Sequence, residues 1–288
     1  MTPKEYLNTQ KERVDAYLDR YLLPETVKPE SIHKAIRYSV FSGGKRFRAS
    51  LCIAANDLFG GDPERVLPVA AGIELIHTYS LIHDDLPCMD DDDLRRGKPT
   101  LHIAFGENIA VLAGDALNAL AFDLLARADD CRLIQILAEA IGTLGMIGGQ
   151  VADVESEGRE HISEDEVRFI HTRKTGCLIE ASLRMGAVAA HAAEDEIAAI
   201  SGYGSRIGLA FQIADDILDI ISTDEVLGKT VGSDLEHEKT TYPRVFGLER
   251  SKTIARDTIA EALSHLDRLK GDTALLRDMA AFVIDRVN

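Results

Sequence analysis

The amino-acid sequence predicts an all-α protein of 288 residues, and three observations support this prediction. Apolar residues recur with helical spacing over most of the chain, whereas the alternation typical of a half-buried strand is hard to find. The interruptions between the helical segments are short and contain glycine or proline. No repeat and no linker of low complexity divides the chain, so we expect residues 1–288 to form a single domain.

Eight segments carry the helical pattern. Ser163 followed by Glu166 is typical of a capping box at a helix start, and Pro63 suits a first helical turn. The glycine pair at 148–149 indicates a break. Alanine and glycine are frequent in these segments, which favours close helix packing but also leaves room for something between helices. The predicted helices span residues 32–41, 51–59, 63–83, 109–127, 131–146, 164–191, 195–221 and 253–270.

The composition argues against several classes of protein. A formal net charge of −16 disfavours nucleic acid as a standing partner. The N-terminal residues lack the apolar core of a signal peptide, and no uninterrupted apolar run approaches the length of a membrane span. The cysteines show neither a paired nor a metal-binding spacing, so we interpret them as reduced thiols of a cytoplasmic protein. They are Cys52, Cys88, Cys131 and Cys177.

Two aspartate-rich motifs stand out in this otherwise apolar helical pattern. DDLPCMDDDD begins at Asp84, and DDILD begins 131 positions later at Asp215. Two like unit charges about 4 Å apart repel by roughly 1 kcal/mol in water and roughly 4 kcal/mol near a protein surface. Divalent cations held between the two motifs would remove that repulsion, and Mg²⁺ binds carboxylate oxygens together with water and phosphates. An EF-hand loop does not fit, because the alternating oxygen ligands and the central glycine are missing.

The helical spacing within each motif predicts which carboxylates face the same way. Asp215 and Asp219 are four residues apart and therefore share one helix face, whereas Asp216 lies about 100° around the helix. Their neighbours at helical spacing are apolar, which disfavours a merely solvated acidic face. In the first motif, Pro87 ends the preceding helix, and a short bend is expected to bring Asp90 back towards Asp84.

Two basic segments predict phosphate binding. Arg95 and Arg96 follow the first acidic motif directly, and the sequence SGGKRFR at residues 42–48 combines a glycine turn, cations and a helix start. The second segment is not a Walker A loop, because the first glycine and the Ser or Thr after the lysine are absent. We therefore expect one phosphate site that is bridged by metal and a second that is purely cationic.

Taken together, these motifs resemble those of the trans-polyprenyl diphosphate synthases, most closely the bacterial type of farnesyl diphosphate synthase. The resemblance covers most of the chain. It implies an all-α bundle of roughly a dozen helices around a deep central cavity, usually as a homodimer. The implied reaction joins isopentenyl diphosphate head to tail to the carbocation formed by ionisation of an allylic diphosphate. The matching segments are GGKRFR, IHTYSLIHDDLPCMDDDDLRRGKPT, GDAL, GGQ, HTRKTG, FQIADDILD, LGKTVGSD and EKTTYP.

The resemblance also implies roles for individual residues. Three Mg²⁺ ions would bridge the allylic diphosphate to the principal ligands Asp84, Asp90 and Asp215, supported by Asp85, Asp216 and Asp219. Cations would complete that site, others would bind isopentenyl diphosphate without metal, and two oxygen-bearing side chains would face the carbocation. The departing diphosphate would act as the base. The cations of the allylic site would be Arg95, Lys174, Lys229 and Lys239. Isopentenyl diphosphate would be bound by Lys45, Arg48, His77 and Arg96. The side chains facing the carbocation would be Thr175 and Gln212.

The length of the product is expected to depend on Tyr79 and Ser80. Side chains four and five positions upstream of Asp84 lean towards the path of the growing tail. Ser80 is small, whereas Tyr79 could form a floor, and an aromatic residue at this place in the family usually accompanies a C15 product. We therefore expect farnesyl diphosphate as the main product, with geranylgeranyl diphosphate as the alternative.

Two further functions are disfavoured. A terpene cyclase also ionises a diphosphate, but usually carries a second motif of another kind, and here the second motif is DDILD. A non-catalytic subunit of a prenyltransferase heterodimer tends to lose aspartates, whereas both motifs are intact here.

Overall fold

Helices form nearly all of the regular structure in a computed structural model that describes residues 1–159, 161–221 and 240–285. About three quarters of the protein is helical, and the predicted all-α bundle of roughly a dozen helices is confirmed. The α-helices are α1 (Pro3–Tyr21), α2 (Glu30–Val40), α3 (Phe47–Leu58), α4 (Val66–Asp84), α5 (Leu101–Phe105), α6 (Glu107–Ala126), α7 (Cys131–Ile141), α8 (Met146–Ser156), α9 (Glu164–His171), α10 (Cys177–Ala189), α11 (Glu194–Ile221), α12 (Tyr242–Phe246), α13 (Leu248–Leu266) and α14 (Ala274–Ile284).

Two short non-α elements lie next to the predicted functional motifs. A two-stranded antiparallel hairpin joins β1 (Leu94–Arg95) to β2 (Lys98–Pro99), immediately after the first acidic motif. A π-helical turn, Thr172–Gly176, separates α9 from α10. The predicted helix 164–191 is therefore interrupted in its middle, at a place where a π-turn re-aims the side chains that it carries.

The observed helices differ from the predicted ones at several places, of which three have a clear physical reason. Helix α1 was not predicted because it is polar, although Thr2 caps it through a capping box with Glu5. The predicted helix 131–146 ends at Ile141, and a new helix, α8, begins at Met146. The predicted break at glycines 148–149 was wrong, because both glycines lie inside α8 and serve its packing there.

The long helices α4, α10 and α11 lie at the centre of the bundle. Helix α4 is apolar on nearly all sides, and α10 contacts α3 on one side and α11 on the other. Small residues allow these helices to approach closely. A Cβ atom added at Gly186 of α10 would lie only 2.0 Å from the carbonyl oxygen of Cys52 on α3. Residues from α1 through α14 contribute to the same hydrophobic core.

By length and apolar composition alone, three stretches of the described chain could cross a membrane: Val66–Asp84, Glu107–Ala126 and Cys131–Ser156. The first is 72% buried within the protein, so the core accounts for its apolar character. The other two are each 39% buried and expose more apolar surface. The expectation that no segment spans a membrane stays a prediction.

The close approach of α10 to α3 predicts that Gly186→Ala destabilises the fold. The added methyl group would collide with backbone, which cannot rotate away, so the free energy of unfolding should fall by about 1–3 kcal/mol. Gly176→Ala is the matched control, because there the nearest atom, the His171 carbonyl oxygen, is 3.5 Å from the new Cβ. Denaturant unfolding of both variants tests the prediction, and equal stabilities would contradict it.

Candidate active site

The first acidic motif lies where α4 ends and the chain turns back on itself. Asp84 is the last residue of α4, and the backbone N–H of Asp90 donates to the Asp84 carbonyl oxygen at 2.8 Å. The predicted return of Asp90 across the bend is therefore confirmed. This turn places two predicted metal ligands at the mouth of the bundle.

Asp85 points away from that turn and pairs with the hairpin. The guanidinium of Arg95 donates to Asp85 Oδ1 at 2.7 Å and to Asp92 Oδ2 at 3.2 Å. Burial raises the pKa of the Asp85 carboxyl, an effect that Arg95 opposes. Asp85 thus holds Arg95 beside the acidic motif, and Arg95 is one of the cations predicted for the allylic diphosphate.

The π-turn and its contact with α8 bring Lys174 close to the first acidic motif. Its ammonium donates to Asp153 Oδ2 at 2.7 Å. Burial disfavours its charged form, but Asp153, Asp84 and Asp90 outweigh burial and raise the pKa of Lys174 above its ordinary value. A Cβ added at Gly149 would lie 2.1 Å from the Lys174 backbone nitrogen. The GGQ segment therefore allows α8 to reach the turn that carries Lys174.

The predicted pair Thr175 and Gln212 is also brought together. The Thr175 hydroxyl donates to Gln212 Oε1 at 2.8 Å, and Gln212 Nε2 donates to Asp216 Oδ1 at 2.9 Å. Asp216 Oδ2 lies 2.6 Å from His171 Nε2 and accepts the Tyr242 backbone N–H at 2.9 Å. Protein donors thus surround both Asp216 oxygens.

The second acidic motif therefore divides its carboxylates between two tasks. Asp216 is 2% exposed and lies on the buried side of α11, where it orients Gln212. Burial lowers the pKa of Arg48, and Asp215 opposes this change, so Asp215 is near enough to interact with the cationic site. Asp219 is buried one turn further along α11. The protein contacts of Asp216 are to Gln212, His171 and Tyr242, and its expected supporting role at the metal stays a prediction.

The donor set suits Mg²⁺. All the predicted ligands are carboxylates, and the positive charges beside them come from Lys174 and Arg95. Among the described residues, no group of three His, Cys, Asp or Glu side chains is already close enough to hold a metal ion alone. Mg²⁺ ordinarily takes one or two carboxylates and completes its octahedron with water and substrate phosphates. The residues present fit an ion that is bound together with a diphosphate.

A separate cluster of cations lies between α3, α4 and the hairpin. Arg48 Nη1 is 3.4 Å from His77 Nε2, and the buried Nε of Arg48 has no hydrogen-bond partner among the described residues. Arg96 donates to the Gly43 carbonyl oxygen, and its guanidinium lies where a Cβ of Gly44 would be. Both glycines have φ of 108°, so the turn needs glycine for its backbone as well as for this contact. Lys45 is exposed, with its ammonium 5.8 Å from the ring centroid of Phe282.

The electrostatics of this cluster show an excess of positive charge. Burial, together with Arg48, Arg96, Arg95 and Arg46, holds the pKa of His77 well below its usual value. Burial also lowers the pKa of Arg48 and of Arg96. Three of the predicted isopentenyl diphosphate residues, Arg48, His77 and Arg96, are thus gathered in one place, and an anion bound there would relieve their mutual repulsion.

One cavity of about 450 Å³ connects the two sites. Arg48 and His77 line it from the cationic cluster, and Asp84, Lys174 and Thr175 line it from the acidic side. The remaining lining is largely apolar and includes Tyr79, Ser80, Met89, Met146, Ile147 and Val151. Tyr79 and Ser80, predicted to control product length, therefore lie in the wall of the cavity.

Some predicted residues lie elsewhere, and some functional residues were missed. Lys229 and Lys239 fall outside the described residues. Asp153 was missed, although its place three residues after Gln150 on an apolar helix could have marked it. The sequence does not mark His171, because its partner Asp216 is 45 residues away in the chain.

Comparison with known proteins identifies the family. The polyprenyl synthetase family matches residues 29–276. A geranylgeranyl diphosphate synthase of Cyanophora paradoxa is 43% identical over 290 residues, covering 98% of this chain and 96% of the relative. The large subunit 1 of a heterodimeric chloroplast geranylgeranyl pyrophosphate synthase of Arabidopsis thaliana is 45% identical over 295 residues, covering 98% of this chain and 79% of the relative.

A solved structure gives the same result for the fold. The geranyltransferase of Helicobacter pylori, in complex with magnesium and isoprenyl diphosphate, superposes with a TM-score of 0.85 at 36% identity. The match covers 99% of this chain and 97% of the other. The fold is therefore that of the isoprenoid synthases. With the family matched over most of its length, the chain belongs to the polyprenyl synthetase family of prenyltransferases.

Proposed function

We propose that the protein condenses isopentenyl diphosphate with allylic diphosphates, head to tail, and that its main product is geranylgeranyl diphosphate. One observation carries this proposal. The cavity is lined at once by Arg48 and His77, which form a cationic site, and by Asp84 and Lys174, which form an acidic site with a cation. Two diphosphates can therefore be held apart while their hydrocarbon parts meet in one apolar space.

The acidic site suits the diphosphate that leaves. Asp84, Asp90 and Asp215 are proposed to hold Mg²⁺, and the expectation of three ions is retained. Bound Mg²⁺ supplies neutralisation of the charge that develops on the leaving diphosphate. Lys174 is kept charged by Asp153 and can contact the same oxygens. Arg95 is held in place by Asp85, and Lys229 and Lys239 are proposed to complete the set.

The cationic site suits the diphosphate that stays attached. Because isopentenyl diphosphate keeps its diphosphate throughout, it needs to be held but not activated. Arg48, His77, Arg96 and Lys45 can do this by charge-assisted hydrogen bonds. Arg48 brings an unpartnered buried Nε to this task.

Thr175 and Gln212 are proposed to face the place where positive charge would form, and Thr175 lines the cavity. The Thr175 proton is committed to Gln212 Oε1, so the lone pairs of the hydroxyl oxygen remain for the cavity. Such an oxygen can stabilise a carbocation by its dipole. The bases that line the cavity among the described residues are Asp84, His77 and His83. Asp84 is proposed to bind metal, His77 to bind isopentenyl diphosphate, and His83 Nε2 lies 3.1 Å from the Val111 carbonyl oxygen, so the departing diphosphate is the proposed proton acceptor.

The C20 product is favoured by the relatives and by the position of Tyr79. The two relatives compared above are both geranylgeranyl synthases. The Tyr79 ring is only 7% exposed and packs edge-on against His83, with ring centroids 5.7 Å apart. A ring that is turned into the wall leaves the path beside Ser80 open for a longer tail.

Farnesyl diphosphate is the second candidate product. It was the main product expected from the sequence, and one observation still favours it, since Tyr79 does line the cavity one turn before Asp84. Product sizing after incubation with isopentenyl diphosphate and dimethylallyl, geranyl or farnesyl diphosphate separates the two. Elongation of farnesyl diphosphate supports C20, whereas accumulation of farnesyl diphosphate supports C15.

Activity is expected to depend on Mg²⁺ and on the acidic motifs. Excess chelator should abolish turnover and added Mg²⁺ should restore it. Asp84→Asn or Asp215→Asn should lower kcat by about 10²–10³, because charge on the leaving diphosphate is then incompletely neutralised. Asp93→Asn is the matched control, since Asp93 is exposed in the same motif and should tolerate the change. Full turnover in chelator would refute the metal-dependent mechanism.

Product length is expected to follow the side chain at position 80. Ser80→Phe should shorten the main product by one isoprene unit, because the ring would fill the cavity beside Tyr79. Ser80→Ala is the control and should leave product length unchanged. Tyr79→Ala should lengthen the product. Chromatography of the dephosphorylated products measures product length in all three variants. An unchanged product length in Ser80→Phe would contradict this path for the tail.

We further propose that the protein is a homodimer through the outer face of α6 and the adjoining α5. Large apolar side chains are exposed there, namely Ile103, Val111 and Leu112, and Leu112 is 55% exposed. Covering this face with a second copy would remove it from water. Light scattering should give a dimer mass, and Leu112→Glu should shift it towards a monomer. A monomeric wild-type protein would refute the proposal.

A cytoplasmic location remains part of the proposal. All four cysteines are unpaired thiols in the structure, as expected for a reducing compartment. The acidic net charge likewise continues to disfavour nucleic acid as a partner.

A further inference from the structure

Glu74 is a buried carboxylate in a helix that is apolar on nearly all sides. It lies on α4 and is only 3% exposed. One turn further along the same helix is His77, one of the cationic residues that line the cavity. Glu74 belongs to neither aspartate motif. A buried carboxylate is costly unless it is paired, so its contacts should indicate its role.

The first contact of Glu74 is to the start of α3. Its Oε1 accepts the backbone N–H of Ala49 at 3.1 Å. Ala49 is in the first turn of α3 and follows Arg48 directly. This bond therefore joins the backbone that carries Arg48 to the helix that carries His77. It also uses one of the backbone N–H groups at the start of α3, where the sequence had suggested that phosphate binds.

The second contact is to Arg46, the residue before α3. Arg46 Nη1 lies 3.6 Å from Glu74 Oε2, and Arg46 Nε donates to Asp15 Oδ1 at 2.7 Å. Arg46 also donates to the Val40 carbonyl oxygen, and its backbone adopts a left-handed conformation with φ of 50°. A bulky residue takes that conformation only where its surroundings hold it. Its side chain thus ties the entry of α3 to α1, α2 and α4.

The charge of Glu74 opposes the surplus of positive charge in the cationic site. Burial lowers the pKa of Arg48, and Glu74 is the first of the groups that oppose this change. It likewise opposes the lowering for Arg96. Glu74 is therefore a resident counter-charge at the back of the cluster, and its contacts to Ala49 and Arg46 turn it away from the position of a substrate anion.

We infer that Glu74 is a positioning residue for the metal-free diphosphate site. It holds the first turn of α3 against α4, and this keeps Arg48 facing His77. The inference rests on the proposed function, because it deepens the account of that same site. Glu74 itself touches no substrate. Its effect reaches the diphosphate through the Ala49 N–H and the backbone of Arg48.

Two substitutions of similar size separate this role from a general loss of stability. Glu74→Gln removes the charge but keeps an oxygen that can accept the Ala49 N–H. Glu74→Leu removes both. We expect the KM for isopentenyl diphosphate to be about tenfold higher in Glu74→Leu than in Glu74→Gln, with kcat and the KM for the allylic substrate within about twofold. Equal KM values for isopentenyl diphosphate, or an equal rise for both substrates, would overturn the inference.

A second pair of variants applies if Glu74→Leu does not fold. Arg46→Met combined with Glu74→Leu replaces both partners of the buried ion pair by apolar side chains, which is generally tolerated better than removal of one partner. Arg46→Met combined with Glu74→Gln is its matched control. The same difference in KM is expected between these two double variants, and its absence would refute the role of the Ala49 contact.

A binding measurement makes the result independent of catalysis. In excess chelator, inorganic diphosphate should raise the melting temperature of Glu74→Gln as it does that of the wild type, but should raise that of Glu74→Leu much less. Arg48→Ala gives the reference for loss of the site. If the wild type forms no prenyl product but this difference persists, the proposed function fails and the positioning role stands. Equal shifts in the two Glu74 variants would refute that role.

Discussion

Repulsion between like charges is the constraint on which the arrangement of this protein depends. Arg48 and, near it, Arg96 and Arg46 lie towards one side of the cavity, and Asp84 with its neighbours in the first acidic motif lies towards the other, in surroundings where charges interact more strongly than in water. Neither group could be assembled before substrate arrives unless the protein supplied its own partners. It does so in pairs: Asp85 with Arg95, Asp153 with Lys174, and Glu74 with Arg46.

These pairs explain why carboxylates of one motif have different tasks. Adjacent aspartates on a helix point about 100° apart, so they cannot face the same site equally. In the second motif, Asp215 interacts electrostatically with Arg48, while Asp216 is buried and held by His171, Gln212 and Tyr242. An acidic motif thus supplies both candidate metal ligands and the support for their neighbours.

The sequence could reveal the groups that meet substrate more readily than those that support them. The acidic motifs, the glycine turn and the cavity-lining Tyr79 and Ser80 are marked by local spacing or by resemblance. Their partners are not, because a contact between residues 45 apart, as for His171 and Asp216, depends on how helices pack. The π-turn was missed for a similar reason, since its residues continue the helical pattern on both sides. Local propensity predicts a break at glycines 148–149, because it gives no hint that the backbone of Lys174 lies against Gly149.

The two diphosphate sites differ in the way that their chemistry requires. The site proposed for the leaving group is acidic, so it would attract metal, and only with metal bound would it carry the positive charge that a diphosphate needs. The site for the group that stays is cationic from the start, with Glu74 behind it to limit the repulsion. A permanent excess of positive charge at the leaving-group site would hold free diphosphate product after reaction. An acidic site that depends on metal can instead release the product together with its ions, and this gives a physical reason for building the two sites from opposite charges around one cavity.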